Sequence, residues 1–541
     1  MNPQSLMIEN NRRAREAALS AWVLPETPPD ALRVRYQSLG RIVLIGGEDA
    51  LLYAPRLGPE LRAQVLVTDG SDEPSVPVIF QAGRCLMIDG HLGHFRVELG
   101  EPGQRDHEVI DCDLILDLAE QPALERELLP VGYYRPVNEP LVLDALVDEL
   151  KGMVGQFEKP KYFNLDPALC AHGRNGVTGC SRCIEACPAE AISDDGDAVA
   201  VDPALCQGGG GCATVCPSGA IRYAQPDPLE LQEQLRLLVT RYREQGGRDP
   251  VVVFQAEAHA FGPEAFAPNL LPVTVEELAS VGMETLLGLL AWGVTGVRLL
   301  EHPGMPERSR RVIDGQLTVI EAMLRALGRD SRRIGWMQAT RPPMTEALED
   351  DSFKSASFRA LGGKRQRLFQ AIDHLYGVAP VQPLEVSLPP AAPFACAEIA
   401  EDRCTLCLAC TGVCPGGALQ AAGEQPGIRF IEMNCVNCGL CVQTCPEDAI
   451  RIRPRLLFDP DARRTARTLH QEPAFACIVC GKPFATRRII DTVLHKLEGN
   501  PMFATPESRR RLQMCDDCRI ADMAQNDLEQ LTGVPAGVIH D

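Results

Sequence analysis

Basic residues and long apolar runs are both scarce in this 541-residue chain. Lysine and arginine total 53 against 73 aspartates and glutamates, so the formal net charge is -20. This balance disfavours nucleic acid and anionic membranes as partners, because phosphates are repelled where no dense basic patch offsets the charge. The most apolar stretch, 283–300, is broken by three glycines and an arginine, and it predicts a helix, a turn and a strand rather than a membrane span.

Arg12-Arg13 and the cysteines bear on the compartment in which the protein is expected. Arg12-Arg13 is followed by further charges and no small-residue cleavage site, which disfavours a twin-arginine signal. The 22 cysteines fall mostly in Cys-x2-Cys runs, unlike the scattered pairs of a small secreted disulfide scaffold. We therefore expect a reducing compartment and a soluble, cytoplasmic protein.

The motif Cys-Pro-x-x-Ala-(Ile/Leu) occurs four times in the chain, starting at Cys187, Cys216, Cys414 and Cys445. The last two close complete Cys-x2-Cys-x2-Cys-x3-Cys-Pro runs, the spacing of bacterial two-cluster ferredoxins, in which the fourth cysteine ligates the other run's cluster. This predicts one 4Fe-4S cluster on Cys404, Cys407, Cys410 and Cys445 and another on Cys435, Cys438, Cys441 and Cys414. The apolar residue that ends each motif is expected to shield a cluster from solvent.

An earlier cysteine region repeats Asp-Pro-Ala-Leu-Cys at 166–170 and 202–206. In its first half the usual two-residue gap has gained seven residues, among them His172 and Arg174, so His172 competes with Cys170 as a ligand. The repeat favours Cys170, because it gives this residue the structural position of Cys206. Crossed ligation then predicts a 4Fe-4S cluster on Cys170, Cys180, Cys183 and Cys216.

The second half of this region has Gly209 where the middle cysteine belongs. Only three thiolates, those of Cys187, Cys206 and Cys212, remain for its cluster. The site is predicted to hold a 3Fe-4S cluster, or a 4Fe-4S cluster whose fourth iron binds water, another side chain or a partner's group. An empty, degenerate site is the alternative.

Two further Cys-x2-Cys knuckles near the end of the chain predict one tetrahedral site, on Cys477, Cys480, Cys515 and Cys518. Four thiolates suit a structural zinc ion, and a rubredoxin-like iron is the competing interpretation. Cys85, Cys112 and Cys396 stand alone and are interpreted as small core residues.

The remaining sequence predicts an α+β / α/β multidomain chain. The predicted divisions are 1–140 (helical start and degenerate Rossmann-like domain), 141–227 (helix and first ferredoxin module), 228–345 (α/β domain), 346–393 (helix and Pro-rich linker), 394–458 (second ferredoxin module) and 459–541 (zinc-ribbon-like four-cysteine domain).

The first division alternates strand and helix patterns. The expected elements are a helix over 3–21, a strand over 41–45, a helix over 50–61 and strands over 64–67 and 114–118. A dinucleotide would lie at Gly46-Gly47 with Asp69 on its ribose, but Glu48-Asp49 would repel the pyrophosphate. We therefore prefer a docking domain that has kept the fold without the nucleotide.

Further elements are expected downstream. The expected helices cover 141–157, 229–244, 308–327 and 353–376, and another helix is opened by a Thr274-x-x-Glu277 capping box and ends near Trp292. The expected strands cover 251–254, 294–300 and 334–337, and an extended Pro-rich connector covers 380–393.

The run Leu299-Leu-Glu-His-Pro-Gly304 with the Arg-rich helix after it resembles the small iron-sulfur subunit that links hydrogenases to heterodisulfide reductases. That family binds a 2Fe-2S cluster there through cysteines. None occurs in this stretch, so the resemblance implies a shared fold with the metal site lost.

A second resemblance covers about 160–226 and 388–525. It is carried by Leu388-Pro-Pro-Ala-Ala-Pro-Phe394, Cys170-Ala-His-Gly-Arg174, Cys477-Ile-Val-Cys480-Gly-Lys-Pro-Phe484 and Arg511-Leu-Gln-Met-Cys515. Together these look like the multi-cluster ferredoxin-type proteins associated with proteobacterial molybdenum formate dehydrogenases. The resemblance implies a redox or accessory role beside such an enzyme.

These patterns favour an electron-transfer subunit that passes electrons between a formate dehydrogenase-like partner and another carrier, without catalysis of its own. Two alternatives stay open. The chain could be an assembly or maturation factor for such an enzyme, or an oxidoreductase that binds a nucleotide in its N-terminal domain.

Overall fold

The computed structural model describes residues 3–23, 32–68, 78–80, 86–100, 107–136, 140–339, 344, 354–423 and 425–532. It is a mixed α/β, multidomain structure with two compact units. The first comprises Met1–Ala168 and Ser181–Gln382, and the second comprises Leu169–Cys180 and Pro383–Asp541. Within the described ranges, no helix combines the length and apolarity that a membrane crossing requires.

The first unit opens with helix Pro3–Leu19, followed by a five-stranded parallel sheet. Its strands lie in the order Val78–Phe80, Arg62–Val67, Arg41–Gly46, Leu114–Asp117 and Tyr133–Tyr134. The three strands predicted from the sequence are therefore confirmed as members of one sheet. Their near-continuous apolar sequence reflects burial on both faces, as parallel sheets require.

Different elements cover the two faces of this sheet. Ile42 and Leu44 face a core that includes residues of helix Pro140–Lys151. Val43 and Ile45 face an antiparallel meander of Leu86–Asp89, Phe95–Leu99 and Glu108–Cys112. A doubly wound Rossmann sheet carries helices on both faces, so the meander departs from the predicted arrangement.

The helix expected over 50–61 is shorter than predicted. Helix Glu48–Tyr53 gives way to a 3-10 turn at Ala54–Leu57. Pro55 lacks an N–H for helical bonding, and Gly58 ends the turn at a φ of 84°. Asp69, the expected ribose ligand, lies outside the described residues.

The helix expected over 141–157 also ends early, at Lys151. The chain then forms strand Gly155–Pro160, which pairs antiparallel with Arg33–Ser38. Gly155 takes a φ of 135°, which a helical residue does not adopt, and strand alternation follows it.

The part of the first ferredoxin module that lies in this unit consists of short elements. They are helices Arg182–Ala186 and Gly211–Val215, hairpin strands Ile192–Asp195 and Ala198–Val201, and the antiparallel pair Phe163–Leu165 and Ile221–Tyr223.

The α/β domain contains a four-stranded parallel sheet whose strands are almost wholly buried. The strand order is Leu270–Val275, Val251–Ala256, Gly296–Leu300 and Ile334–Met337. Its helices are Pro228–Glu244, Met283–Ala291, Glu307–Ala326 and Lys364–Gly377.

The predicted capping box was wrong. Thr274 lies inside a strand, because Val273-Thr274-Val275 continues the parallel pairing with Val251–Ala256. The helix begins only at Met283, after Gly282. β-Branched residues beside an established strand thus outweigh a local capping signal.

The helix expected over 353–376 was also placed too early. Residue 353 is outside the described part, and residues 354–363 form no regular element. Gly362 has a φ of 78°, and the helix starts after Gly363 at Lys364.

The second unit contains the second ferredoxin module. Its helices are Ala409–Gly412, Leu440–Thr444 and Pro460–Arg464, and its strands form the sheets Glu385–Ser387 / Ile450–Leu457 / Ala395–Ile399 and Leu419–Ala421 / Gly427–Phe430 / Arg467–Gln471. The Pro-rich connector is therefore not only a spacer, because Glu385–Ser387 pairs with Ile450–Leu457.

The chain's last described part is a hairpin followed by helices. Ala474–Ala476 pairs with Pro483–Thr486, and helices Arg487–Lys496, Pro506–Arg511 and Asp516–Thr532 follow. Its small core consists of Cys477, Met514 and Cys515, against which Phe484 and Cys518 pack.

Candidate iron-sulfur and metal sites

The four Cys-Pro motifs fold into one repeated loop. Each follows a helix of four or five residues, and the third residue after the cysteine is left-handed, with φ values of 51° at Glu190, 78° at Gly219, 61° at Gly417 and 47° at Asp448. A strand then starts at a buried apolar residue: Ile192, Ile221, Leu419 or Ile450. Shared sequence thus gives shared geometry around each fourth cysteine.

Three of these four sulfurs accept a hydrogen bond from the loop that follows. The donors are the backbone N–H groups of Ala191 to Cys187 Sγ (3.4 Å), Leu419 to Cys414 Sγ (3.5 Å) and Ala449 to Cys445 Sγ (3.3 Å). At Cys216 the sulfur instead lies 3.6 Å from the hydroxyl of Ser218. Such donors favour the thiolate, which is the form that binds metal.

In the second module one thiol group combines three cysteines of one run with the fourth of the other. Cys404, Cys407, Cys410 and Cys445 line one common pocket. Burial, followed by the charges of the other three thiols, raises the pKa of Cys410 to about 12. Clustered thiolates repel one another in this way unless cations lie between them, so the group suits an iron cluster.

Cys441 marks a second group of the same kind. Burial raises the pKa of its thiol, and the charges of Cys435, Cys438 and Cys414 raise it further. Again the fourth member comes from the other run.

In the first module Cys212 lies among Cys206, Cys187, Cys183 and Cys216. Desolvation raises the pKa of Cys212 well above its usual value, and these four thiols add to the rise. Cys206 likewise has a raised pKa, caused first by burial and also by Cys187. The three cysteines expected at the incomplete site are thus close enough to influence one another's charge.

The Gly209 loop has the same backbone shape as the complete runs. Two and four residues after the first cysteine, φ is positive in all three loops: at Leu406 and Leu408, at Asn437 and Gly439, and at Gly208 and Gly210. The residue between each pair is Cys407, Cys438 or Gly209. Gly209 therefore occupies the position of a missing ligand in an otherwise conserved loop geometry.

Open space surrounds that position. A Cβ built on Gly209 meets no atom within 4 Å, whereas one on Gly208 would lie 2.9 Å from the ring of Tyr162 and one on Gly210 would lie 2.4 Å from Ser280 Cβ. Gly209 is also partly exposed between two buried glycines. The corner of the predicted cluster that lacks a thiolate can therefore accommodate a further ligand.

Cys170, His172 and Cys180 lie in the segment that belongs to the second unit, while Cys183 and Cys216 lie in the first. The seven extra residues form a two-stranded hairpin of Gly173–Arg174 and Val177–Thr178. Its turn, Asn175-Gly176, has positive φ at both residues, as a type I′ turn requires. His172 Nδ1 is 2.9 Å from the Cys180 carbonyl oxygen.

The hairpin packs on the second module within the same unit. A Cβ on Gly179 would come within 2.6 Å of Leu440 Cγ, so a glycine is needed for this approach. The residue before Cys180 therefore lies directly against the helix that contains Cys441.

The four knuckle cysteines form a compact group. The sulfur atoms of Cys477, Cys480, Cys515 and Cys518 all lie within 4.8 Å of one another. A tetrahedral zinc ion with Zn–S bonds of about 2.3 Å requires S···S separations of roughly 3.8 Å, so the group fits a four-thiolate site. In the described part of the chain, no other cluster of three or more Cys, His, Asp or Glu ligand atoms is this tight.

The isolated cysteines are separate from these groups. Cys112 is buried, and burial raises its pKa to about 12, which suits an inert core thiol. Cys396 is also buried, and Arg467 Nη2 lies 2.9 Å from its sulfur, a contact that the sequence did not suggest. Cys85 lies outside the described residues.

Three basic side chains that donate hydrogen bonds to the backbone carbonyl oxygens of predicted ligand cysteines were not predicted from the sequence. Lys159 Nζ is 2.7 Å from the Cys206 carbonyl oxygen, Lys364 Nζ is 3.0 Å from that of Cys216, and Arg308 Nη1 is 2.7 Å from that of Cys187. Because these basic residues are distant in sequence from the cysteines they contact, no local sequence pattern predicts the contacts.

Comparisons with known proteins support the interpretation of the cysteine loops as iron-sulfur binding domains. Residues 403–449 match the 4Fe-4S dicluster domain, and residues 199–222 match the 4Fe-4S binding domain. Relatives include an iron-sulfur protein of Rhodospirillum rubrum, which is 38% identical over 53 residues (10% of this chain, 27% of the relative). Hydrogenase-4 component A of Escherichia coli (strain K12) is 35% identical over 68 residues (13% and 31%). Pyruvate synthase subunit PorD of Thermotoga maritima is 36% identical over 59 residues (11% and 58%).

The chain spans between 27% and 58% of the length of these relatives. The likeness is therefore one of iron-sulfur domains. It supports 4Fe-4S binding domains of the ferredoxin type in this chain.

Proposed function

We propose that the chain is a polyferredoxin subunit that passes single electrons along four iron-sulfur clusters between a partner dehydrogenase, of the formate dehydrogenase type, and another carrier. The observation that carries this proposal is the loop repeated at four Cys-Pro turns, around which the sequence spaces fifteen cysteines. Thiolates hold the iron, and buried apolar caps with N–H···S bonds set the potentials.

The cluster assignments follow crossed ligation. The second module holds 4Fe-4S clusters on Cys404, Cys407, Cys410, Cys445 and on Cys435, Cys438, Cys441, Cys414. The first holds one on Cys170, Cys180, Cys183, Cys216, and a 3Fe-4S or open-cornered 4Fe-4S cluster on Cys187, Cys206, Cys212. The match of residues 199–222 to a 4Fe-4S binding domain supports metal in this incomplete half.

The packing of Gly179 on Leu440 supports a path between the modules. It brings the residue beside Cys180 to the helix of Cys441, and short spans through packed protein are what electron hopping needs. The tail holds one structural zinc ion on Cys477, Cys480, Cys515 and Cys518.

A redox partner protein is supported by the relatives, since one is named as a hydrogenase component and another as a pyruvate synthase subunit. The resemblance of the tail and cysteine modules to formate dehydrogenase-associated ferredoxins suggests the type of partner. The formal net charge of -20 would guide docking to a complementary basic face.

The test is reduction of the anaerobically purified chain by formate with a catalytic amount of the purified dehydrogenase, followed by EPR. We expect cluster reduction only when both are present. Clusters that instead move to an apo-dehydrogenase, without reduction by formate, would show the assembly role. Bound flavin or nicotinamide would show the enzymatic one, which Glu48 and Asp49 in the first helical turn disfavour.

A further inference from the structure

The side chain of Lys159 is hydrogen-bonded to the main chain next to Cys206. Its ammonium donates to the carbonyl oxygens of Ala204 and Cys206, at 2.7 Å each. The Tyr36 hydroxyl also donates to the Ala204 carbonyl at 2.7 Å, and the ammonium lies 5.1 Å from the centroid of the Tyr36 ring. Two hydrogen bonds and an aromatic face therefore fix the charge beside a ligand cysteine.

This charge is not neutralised by a close carboxylate. Within the described part of the chain, Lys159 has no carboxylate partner at salt-bridge distance. Asp202, the carboxylate whose charge acts on Lys159, uses Oδ1 to accept hydrogen bonds from the N–H groups of Ala204 and Leu205 at 2.7 and 3.2 Å. Arg308 at Cys187 differs, because Glu190 Oε1 lies 2.9 Å from its Nη2.

Lys364 makes similar main-chain contacts at the other cluster of the module, but the buried Glu284 is the strongest charge acting on it. Its ammonium donates to the carbonyl oxygens of Ala213 (2.7 Å) and Thr214, in the helix before a Cys-Pro turn, and of Cys216 (3.0 Å), directly after that helix. Arg365 adds a second cation at the Pro217 carbonyl oxygen, 3.3 Å away.

We propose that Lys159 is a positioning residue that raises the reduction potential of the cluster on Cys187, Cys206 and Cys212, and that Lys364 does the same for the cluster that includes Cys216. This rests on the proposed function, since it requires clusters at these cysteines. A fixed positive charge stabilises the reduced cluster, which carries one more negative charge, and net charge is one of the determinants of cluster potential. The step is the gain of one electron from an added reductant such as dithionite, with no bond made or broken.

The test is an EPR-monitored redox titration of the full, anaerobically reconstituted chain at pH 7, in wild type and in Lys159→Gln. Glutamine keeps hydrogen-bond donors and removes the charge. We expect the midpoint of the three-thiolate cluster to move to a more negative value, by about 59 mV for each tenfold loss in its reduction equilibrium constant. Gly209→Cys, which alters only that cluster's ligands, identifies its signal.

Lys161→Gln is the matched control. Lys161 lies two residues further on, with its ammonium 4.9 Å from the Phe163 ring centroid, and its loss should leave every midpoint in place. An unchanged midpoint in Lys159→Gln would overturn the inference. If that variant loses the cluster's iron, the titration of Lys364→Gln decides instead: a negative shift supports the inference, and no shift overturns it. Absence of clusters from the wild type would refute the proposed function itself.

Discussion

Single residues in left-handed conformations show where loop shape is under constraint. Leu406 and Leu408 have φ values of 56° and 62°, a conformation that costs an L-residue roughly 1–2 kcal/mol. The first module places Gly208 and Gly210 at the equivalent positions. The loop shape is thus kept in both modules, although one accepts backbone strain and the other avoids it with glycine.

The Gly209 loop gives a prediction at this scale. Gly209→Cys should add a fourth thiolate, because φ is not positive there and the new Cβ meets nothing within 4 Å. We expect the EPR spectrum of the incomplete cluster to become that of a four-thiolate 4Fe-4S cluster, with up to one more iron per chain.

Gly210→Cys is the matched control for that experiment. Its φ of 71° and a 2.4 Å approach to Ser280 make any side chain costly, by about 1–2 kcal/mol for the backbone alone. It should lose cluster iron. Equal behaviour of the two variants, or no spectral change in Gly209→Cys, would argue against an open corner at Gly209.

Crossed ligation gives a second prediction for individual residues. Cys445→Ala should destabilise the cluster on Cys404, Cys407 and Cys410, whereas Cys414→Ala should destabilise the one on Cys435, Cys438 and Cys441. Cys445 affects the pKa of Cys410, and Cys414 affects that of Cys441, so each variant removes a thiol from the other run's group.

The readout is the pair of second-module signals in an EPR redox titration. Each variant should lose or shift a different signal of the pair. If Cys445→Ala instead affected the same signal as Cys441→Ala, ligation would be uncrossed.

For single residues, the candidate ligand cysteines could be predicted from the sequence because metal ligation requires a fixed residue type at a fixed spacing. Lys159 could not, since its contact with Cys206 exists only after strand Gly155–Pro160 has paired with Arg33–Ser38. The Arg467 contact with Cys396 is of the same kind.

At the scale of elements, strong periodicity or continuous burial was a reliable guide. Strands at Arg41–Gly46 and Gly296–Leu300 and helices at Pro228–Glu244 and Glu307–Ala326 lie within a few residues of their predicted bounds. The misplaced helix after Thr274 shows the limit, because strand pairing across the sheet is not encoded locally.

The four-cysteine tail gives a prediction for a whole element. Cys518→Ser should abolish stoichiometric zinc and unfold the tail, because a structural metal supplies most of the folding free energy of a domain with so small a core. Limited proteolysis with mass spectrometry should then cut within 474–532 while fragments of the second module persist.

Cys112→Ala serves as the control for the zinc measurement, since Cys112 is buried far away in sequence beside the N-terminal sheet. It should keep one zinc per chain. Retention of zinc in Cys518→Ser, or iron rather than zinc in the wild type, would contradict the zinc assignment.

At the scale of the whole molecule, the first unit combines most of the first ferredoxin module with two α/β sheets whose strands contain no predicted cluster cysteine. The five-stranded sheet and the four-stranded sheet were both expected as α/β from strand and helix patterns. The antiparallel meander on one face of the first sheet was not, because short amphipathic strands such as Phe95–Leu99 give only a weak signal. Lys159 comes from strand Gly155–Pro160 and Lys364 from helix Lys364–Gly377, so elements outside the cysteine loops contact the first module.

The proposed function depends on four clusters and one zinc ion in a single chain, and iron and zinc analysis with EPR spin quantification of anaerobically purified protein measures both. We expect about 15 to 16 iron atoms and one zinc per chain, the lower iron count for a 3Fe-4S cluster beside Gly209. An iron count near eight would mean that the first module is empty, and a colourless protein that is EPR-silent after dithionite treatment would refute the electron-transfer proposal.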